Sequence, residues 1–187
     1  DKPIIGRLED KLVERKKEES SVYPKFDSYD KNLVLSELLD NVDFVGGYSL
    51  HGSRFTASGG ENSEASLVFY RKGERFLTAS SERIAIYNDK VMASGTSVKI
   101  VLQNDSIIHP GLDLRYDPSE LVLDLIRDGK GISAAPYQNT YHDLEMDFQT
   151  LKWRMDEDEI VFGTIPGNTA TPANFESADY YTNNRFD

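Results

Sequence analysis

Leu112-Asp-Leu-Arg-Tyr-Asp-Pro-Ser-Glu-Leu-Val-Leu-Asp-Leu125 decides the fold. Leu112, Leu114 and Tyr116 alternate with Asp113, Arg115 and Asp117. Leu121, Leu123 and Leu125 alternate with Val122, Asp124 and Ile126. Successive strand side chains point to opposite faces, so this period of two gathers the apolar residues on one side. Asp117-Pro118 between the runs is a turn former. The unit reads as a β-hairpin with one greasy face.

The same layout of apolar-x-apolar, charged turn, apolar-x-apolar recurs on both sides of this stretch. Leu67-Val-Phe-Tyr-Arg71 and Phe76-Leu-Thr-Ala-Ser80 flank Lys72-Gly-Glu-Arg75; Ile84-Ala-Ile86 and Val91-Met-Ala93 flank Asn88-Asp89. Leu151-Lys-Trp-Arg-Met155 and Ile160-Val-Phe162 flank Asp156-Glu-Asp-Glu159, and Val98 to Ile108 fits more loosely around Asn104-Asp105. Leu144, Met146 and Phe148 alternate with Asp143, Glu145 and Asp147. A lone hairpin is marginal in water, whereas stacked hairpins bury one continuous face. The expectation is an all-β protein of mainly antiparallel stacked hairpins, forming a folded sheet, a sandwich or an open trough. The recurrence fits either a divergent repeat or a non-repetitive meander.

Outside this region the texture changes. Pro3, then Ile4, Leu8 and Leu12 with Ile5 and Val13 alongside, predict a short N-terminal α-helix over residues 3–19. Leu33, Val34, Leu35, Leu38 and Leu39 suit a two-turn helix or a strand. The expected organisation is a helical or linker segment at 1–43, a hairpin domain at 44–165, and an irregular aromatic tail at 166–187. A chain that opens on Asp1 and ends on a Tyr-rich stretch reads as a piece of something longer.

Composition narrows the function. The 187 residues carry 21 Lys plus Arg against 32 Asp plus Glu, a net charge of −11, which argues against nucleic acid as a partner. With no Cys, disulfides, thiolate metal sites and cysteine nucleophiles are excluded. No apolar run reaches the roughly 18 residues of a membrane-spanning helix.

Two segments carry a resemblance to known proteins. Ser81-Glu-Arg-Ile-Ala-Ile-Tyr87 running into Val91-Met-Ala-Ser-Gly95, and Leu112-Asp-Leu-Arg-Tyr-Asp117 running into Leu121-Val-Leu123, resemble the strand–acidic turn–strand unit of the bacterial lipopolysaccharide-transport and organic-solvent-tolerance repeat family. The likeness covers about residues 65–165. It implies a folded-over sheet, an apolar groove, a lipid ligand and an envelope or periplasmic location. The stretch from Asp105 through His142 also looks like very large uncharacterised proteins of the Bacteroides group, which implies no function.

Few residues point to chemistry. Ser49 in Gly47-Tyr-Ser-Leu-His51 approaches a nucleophile-elbow pattern, but the segment after it, residues 52–58, reads as a strand rather than the required helix. The expectation is no catalytic residue. His142 beside Asp143, Glu145 and Asp147 is the best local cluster, and Ca²⁺ is the cofactor those acids would take if any; the plainer reading is a solvated strand face. Tyr137, Tyr141 and Trp153, near irregular segments, are candidates for ligand stacking. Two functions follow. One is a non-catalytic structural or binding module of a larger envelope protein, holding an apolar ligand or docking neighbouring domains. The other is a glycan-binding or glycan-processing domain.

Overall fold

The computed structural model describes residues 3–11, 23–52, 54–59, 63–87, 90–103, 105–140, 143–165 and 174–177. The strands are β1 (Gly6–Glu9), β2 (Lys25–Ser28), β3 (Leu33–Leu39), β4 (Val42–His51), β5 (Arg54–Ser58) and β6 (Ala65–Arg71). Then come β7 (Glu74–Ser81), β8 (Arg83–Ile86), β9 (Val91–Leu102), β10 (Asp105–Asp117) and β11 (Val122–Ile126). The series ends with β12 (Tyr137–Asn139), β13 (Leu144–Asp147), β14 (Thr150–Arg154), β15 (Ile160–Gly163) and β16 (Asn174–Ser177). All pairings are antiparallel. Each of the five hairpins expected from alternation forms, at β6–β7, β8–β9, β9–β10, β10–β11 and β14–β15.

Three long strands change partners halfway along. β4 pairs β3 and β6 through residues 42–46, then β2 and β5 through 47–51. β9 pairs β8 through 91–93 and β7 through 97–100. β10 pairs β12 through 107–108 and β11 through 113–117. The sheet thus splits into two half-sheets that share these strands. The first runs β3–β4–β6–β7–β9–β10–β12–β13–β16, and the second runs β1–β2–β4–β5–β8–β9–β10–β11–β14–β15. Their inner faces meet: Phe44 stands edge-on to Phe55, and Phe69 edge-on to Tyr116.

The line where the strands pass from one half to the other is a crease, and its cause is visible in the register. In the β9–β10 pair, His109 opposes Val98, Leu112 opposes Thr96, and Leu114 opposes Ala93. From the first pair to the second, β10 advances three residues while β9 advances two. From the second to the third the count reverses. These are two compensating bulges, one on each strand, and bulges bend and twist a ladder. Gly95, at φ +61°, supplies a left-handed position on β9. Because each bulge adds a residue, the buried positions shift parity, from Val91 and Ala93 to Val98 and Ile100, and from Ile107 and His109 to Leu112 and Leu114. The apolar side chains therefore stay inside on both sides of the bend.

Strand ends obey this layout. Ser28 and Leu33, Ser58 and Ala65, Ser81 and Arg83, Ile126 and Tyr137, and Asp147 and Thr150 all lie at the crease, where the chain changes half-sheet. Hairpin tips such as Lys72-Gly73 and Asp156–Glu159 lie at the opposite side, the mouth. Ser81 holds one such switch: its buried hydroxyl donates to the Ser94 carbonyl at 2.9 Å.

Three expectations need correction. The N-terminal α-helix is not found: residues 6–9 form β1 against β2, and residues 12–19 lie outside the described residues. A spacing of four is also a multiple of two, so Ile4 and Leu8 fit one strand face as well as a helix. Gly6 then allows β1 to approach the Asp27 carbonyl where a Cβ would not fit. Ile5 and Leu8 are 69% and 68% exposed. Second, residues 25–43 are not a linker, since β2, β3 and the start of β4 belong to the sheet. Third, within the tail, residues 174–177 are not irregular but form β16 on β13.

Candidate functional site

Two places combine polar chemistry with the apolar interior: the crease beside His109, and the mouth beside Trp153.

At the crease, the ring of His109 is 2% exposed and packs against Tyr137 at 4.5 Å between centroids. The Gly111 amide donates to Nδ1 at 3.0 Å, so Nδ1 carries the lone pair. Nε2 therefore holds the proton and donates to the Ala135 carbonyl at 2.9 Å. Both ring nitrogens of the neutral imidazole are satisfied, and a second proton would break the Gly111 bond. Burial holds the His109 pKa below the ordinary histidine value, and the positive charge of Arg127 adds to this. An unfolded histidine takes its proton near pH 6.5, and folded His109 takes it only at lower pH. The stabilisation is thus present above about pH 6.5 and is lost as the pH falls through the folded pKa. Thermal unfolding followed from pH 7.5 downward is expected to show a steeper loss of stability for the native chain than for His109→Gln.

Tyr137 continues the aromatic row. It stacks on Phe148 at 4.2 Å, and Phe148 meets Phe162 at 4.3 Å. Arg127 reaches across to Asp147 at 2.7 Å and ties β13 to the segment after β11. Among the described residues the buried Tyr137 hydroxyl and Arg127 Nη1 have no hydrogen-bond partner.

At the mouth, Trp153 is 1% exposed and donates Nε1–H to the Glu157 carbonyl at 2.9 Å. Phe76 of β7 covers it from the other half-sheet, with centroids 4.1 Å apart. The Arg71 guanidinium lies 5.6 Å from both rings and pairs with Asp158, which also faces Lys72 at 3.6 Å. A cleft of about 700 Å³ opens beside this arrangement, lined in part by Arg71, Arg75, Phe76, Val101 and Leu102. Nearby, burial foremost, with Asp40 and Asp117 adding, pushes the Tyr116 hydroxyl up to about 12.

Tyr137 and Trp153 are core side chains, and neither ring has a face free for stacking. Tyr141 and His142 lie outside the described residues. Asp143 sits in a turn at φ 50°, ahead of β13, so it leaves the row that Glu145 and Asp147 occupy. Asp147 is engaged by Arg127, and no three His, Cys, Asp or Glu side chains gather at metal-binding distance among the described residues. Ser49 Oγ donates to Asp27 at 2.5 Å, and His51 stands 3.7 Å from the same carboxylate. The carboxylate thus sits between serine and histidine, whereas a serine nucleophile needs the imidazole there.

Reading the sequence missed the crease and the mouth contacts. The broken parity at Gly95 and at Pro110-Gly111 was the available signal for the crease; for Arg71 with Asp158 there was none.

No protein-family model and no curated protein matches the chain. Among solved structures it is similar to the crystal structure of LptH, the LptA homologous periplasmic component of the conserved lipopolysaccharide transport device from Pseudomonas aeruginosa. The match has 9% sequence identity and a TM-score of 0.44, covering 66% of this chain and 83% of that one. It falls in the lipopolysaccharide-transport family that the hairpin segments weakly resemble.

Proposed function

We propose that the chain is a non-catalytic binding module of a larger bacterial envelope or periplasmic protein, and that its two open sheet ends dock neighbouring domains. The observation that carries this reading is the chemistry of those ends. One end carries Ile5 and Leu8 at β1 and Val34 on β3, each more than 60% exposed. The other carries Val161 on β15 and Phe175 on β16, both exposed. Among the described residues, β1, β3, β15 and β16 each pair on one side only. An edge strand with free backbone groups and apolar side chains is a template for another strand.

Amide hydrogen exchange tests the reading. In the intact parent protein, β1 and β15 amides are expected to exchange more slowly than in the isolated module. Leu8→Lys and Val161→Lys should each remove that protection at its own end. Equal exchange in the two contexts would refute docking.

A second reading, an apolar or lipid ligand between the half-sheets, draws support from the continuous apolar inner face. That face is closed in this structure: Ile84, Leu112, Leu114 and Leu123 are at most 1% exposed and pack within one cluster. A ligand would have to part the half-sheets. A glycan site has less support, since Tyr137 and Trp153 are both enclosed.

A further inference from the structure

We propose that the hairpin tips at Arg71–Arg75 and Asp156–Glu159 form an electrostatic clasp that holds the mouth shut and controls access to the apolar interior. The clasp stands on geometry alone; that an apolar chain enters when it opens rests on the second reading above.

The two tips belong to different half-sheets, one to the β6–β7 hairpin and the other to β14–β15. The first tip carries Arg71, Lys72 and Arg75 against one acid, Glu74, and the second is a run of four acids. Within the acidic tip the carboxylates have separate tasks. Arg154, on the same hairpin, takes Asp156 at 3.3 Å and Glu157 at 3.2 Å. Asp158 crosses to Arg71 and Lys72. The Arg71 side chain is only 18% exposed because it also lies against Phe76 and Trp153. One ion pair therefore pins a cation over the aromatic contact that seals the core. Behind Phe76 and Leu102, which line the 700 Å³ cleft, the packed interior begins directly.

Among the described residues no backbone hydrogen bond joins the two tips, and side chains make the contact. Such pairs are individually weak and sensitive to salt, which suits a closure that must open.

The test uses exchange of the Leu77, Ile100 and Leu151 amides to read opening, and N-phenyl-1-naphthylamine, an uncharged apolar dye, to read entry. Asp158→Lys replaces the carboxylate that Arg71 and Lys72 share with a cation and is expected to speed exchange roughly fivefold. Adding NaCl to about 0.5 M should speed exchange in the native chain and not in the variant. The exchanged pair, Arg71→Asp with Asp158→Arg, should return most of the protection. Exchange that responds neither to Asp158→Lys nor to salt would overturn the clasp. If Asp158→Lys does not fold, the cysteine-free chain allows Lys72→Cys with Asp158→Cys, joined by a short bis-maleimide linker. Salt should then no longer speed exchange, and a response equal to that of the unlinked chain overturns the clasp. Opening without dye binding keeps the clasp and removes the apolar-ligand reading.

Discussion

Trp153→Ala is expected to destabilise the protein by about 3–5 kcal/mol, the range for removing a large aromatic side chain from a packed core. The residue is the chain's only tryptophan and is 1% exposed. Its loss would leave a cavity against Phe76, free the Glu157 carbonyl from its indole partner, and leave Arg71 over an empty space. Far-UV circular dichroism during urea unfolding is the suitable measurement, because intrinsic tryptophan fluorescence disappears with the substitution. Trp153→Phe should recover most of the loss, since it keeps the ring and gives up the N–H. A cost below 1 kcal/mol for the alanine variant would mean that the mouth is far looser than this packing.

Deleting Gly95 is expected to prevent folding, whereas Gly95→Ala should cost only about 1 kcal/mol for its left-handed backbone. An alanine methyl would meet nothing within 4 Å there, so space is not the issue. The residue count is. With Gly95 gone, the extra residue on β10 has no counterpart, and one half of the β9–β10 ladder must slip by one position. A slip of one turns every side chain to the other face. On the first half-sheet that would expel Val98 and Ile100 and draw in Lys99. Each expelled apolar side chain forfeits roughly 1.5–3 kcal/mol, and the buried lysine adds more, against a typical total stability of about 5–15 kcal/mol. Removing Pro110 as well brings the two strands back into step, so the double deletion should be less damaging than the deletion of Gly95 alone. Soluble yield and the dispersion of amide proton resonances report both results.

Much of the architecture was legible because β structure writes itself locally. Leu112, Leu114, Tyr116 and Leu123, Leu125 alternate without a break, and both sets are buried. The crease was not legible as a crease. Ser94-Gly95-Thr96 and His109-Pro110-Gly111 read as interruptions, and only their pairing in space makes them two halves of one bend. The N-terminal segment misled because spacing by four serves helix and strand alike, and β2 settled the matter through backbone pairing. For the candidate site, Tyr137 and Trp153 drew attention as aromatics near irregular segments. Yet Trp153 shares the parity of Leu151, and that alternation already placed it inside. Arg71 and Asp158 lie on distant hairpins, and nothing local joins them.

The molecule has a spine and a fore-edge, like a book. Covalent chain runs through the spine along β4, β9 and β10, so the covers cannot slide past one another without tearing ladders. They can only swing. The softest collective motion of this protein is therefore a rotation about the spine, and its amplitude grows toward the fore-edge, furthest from the bends.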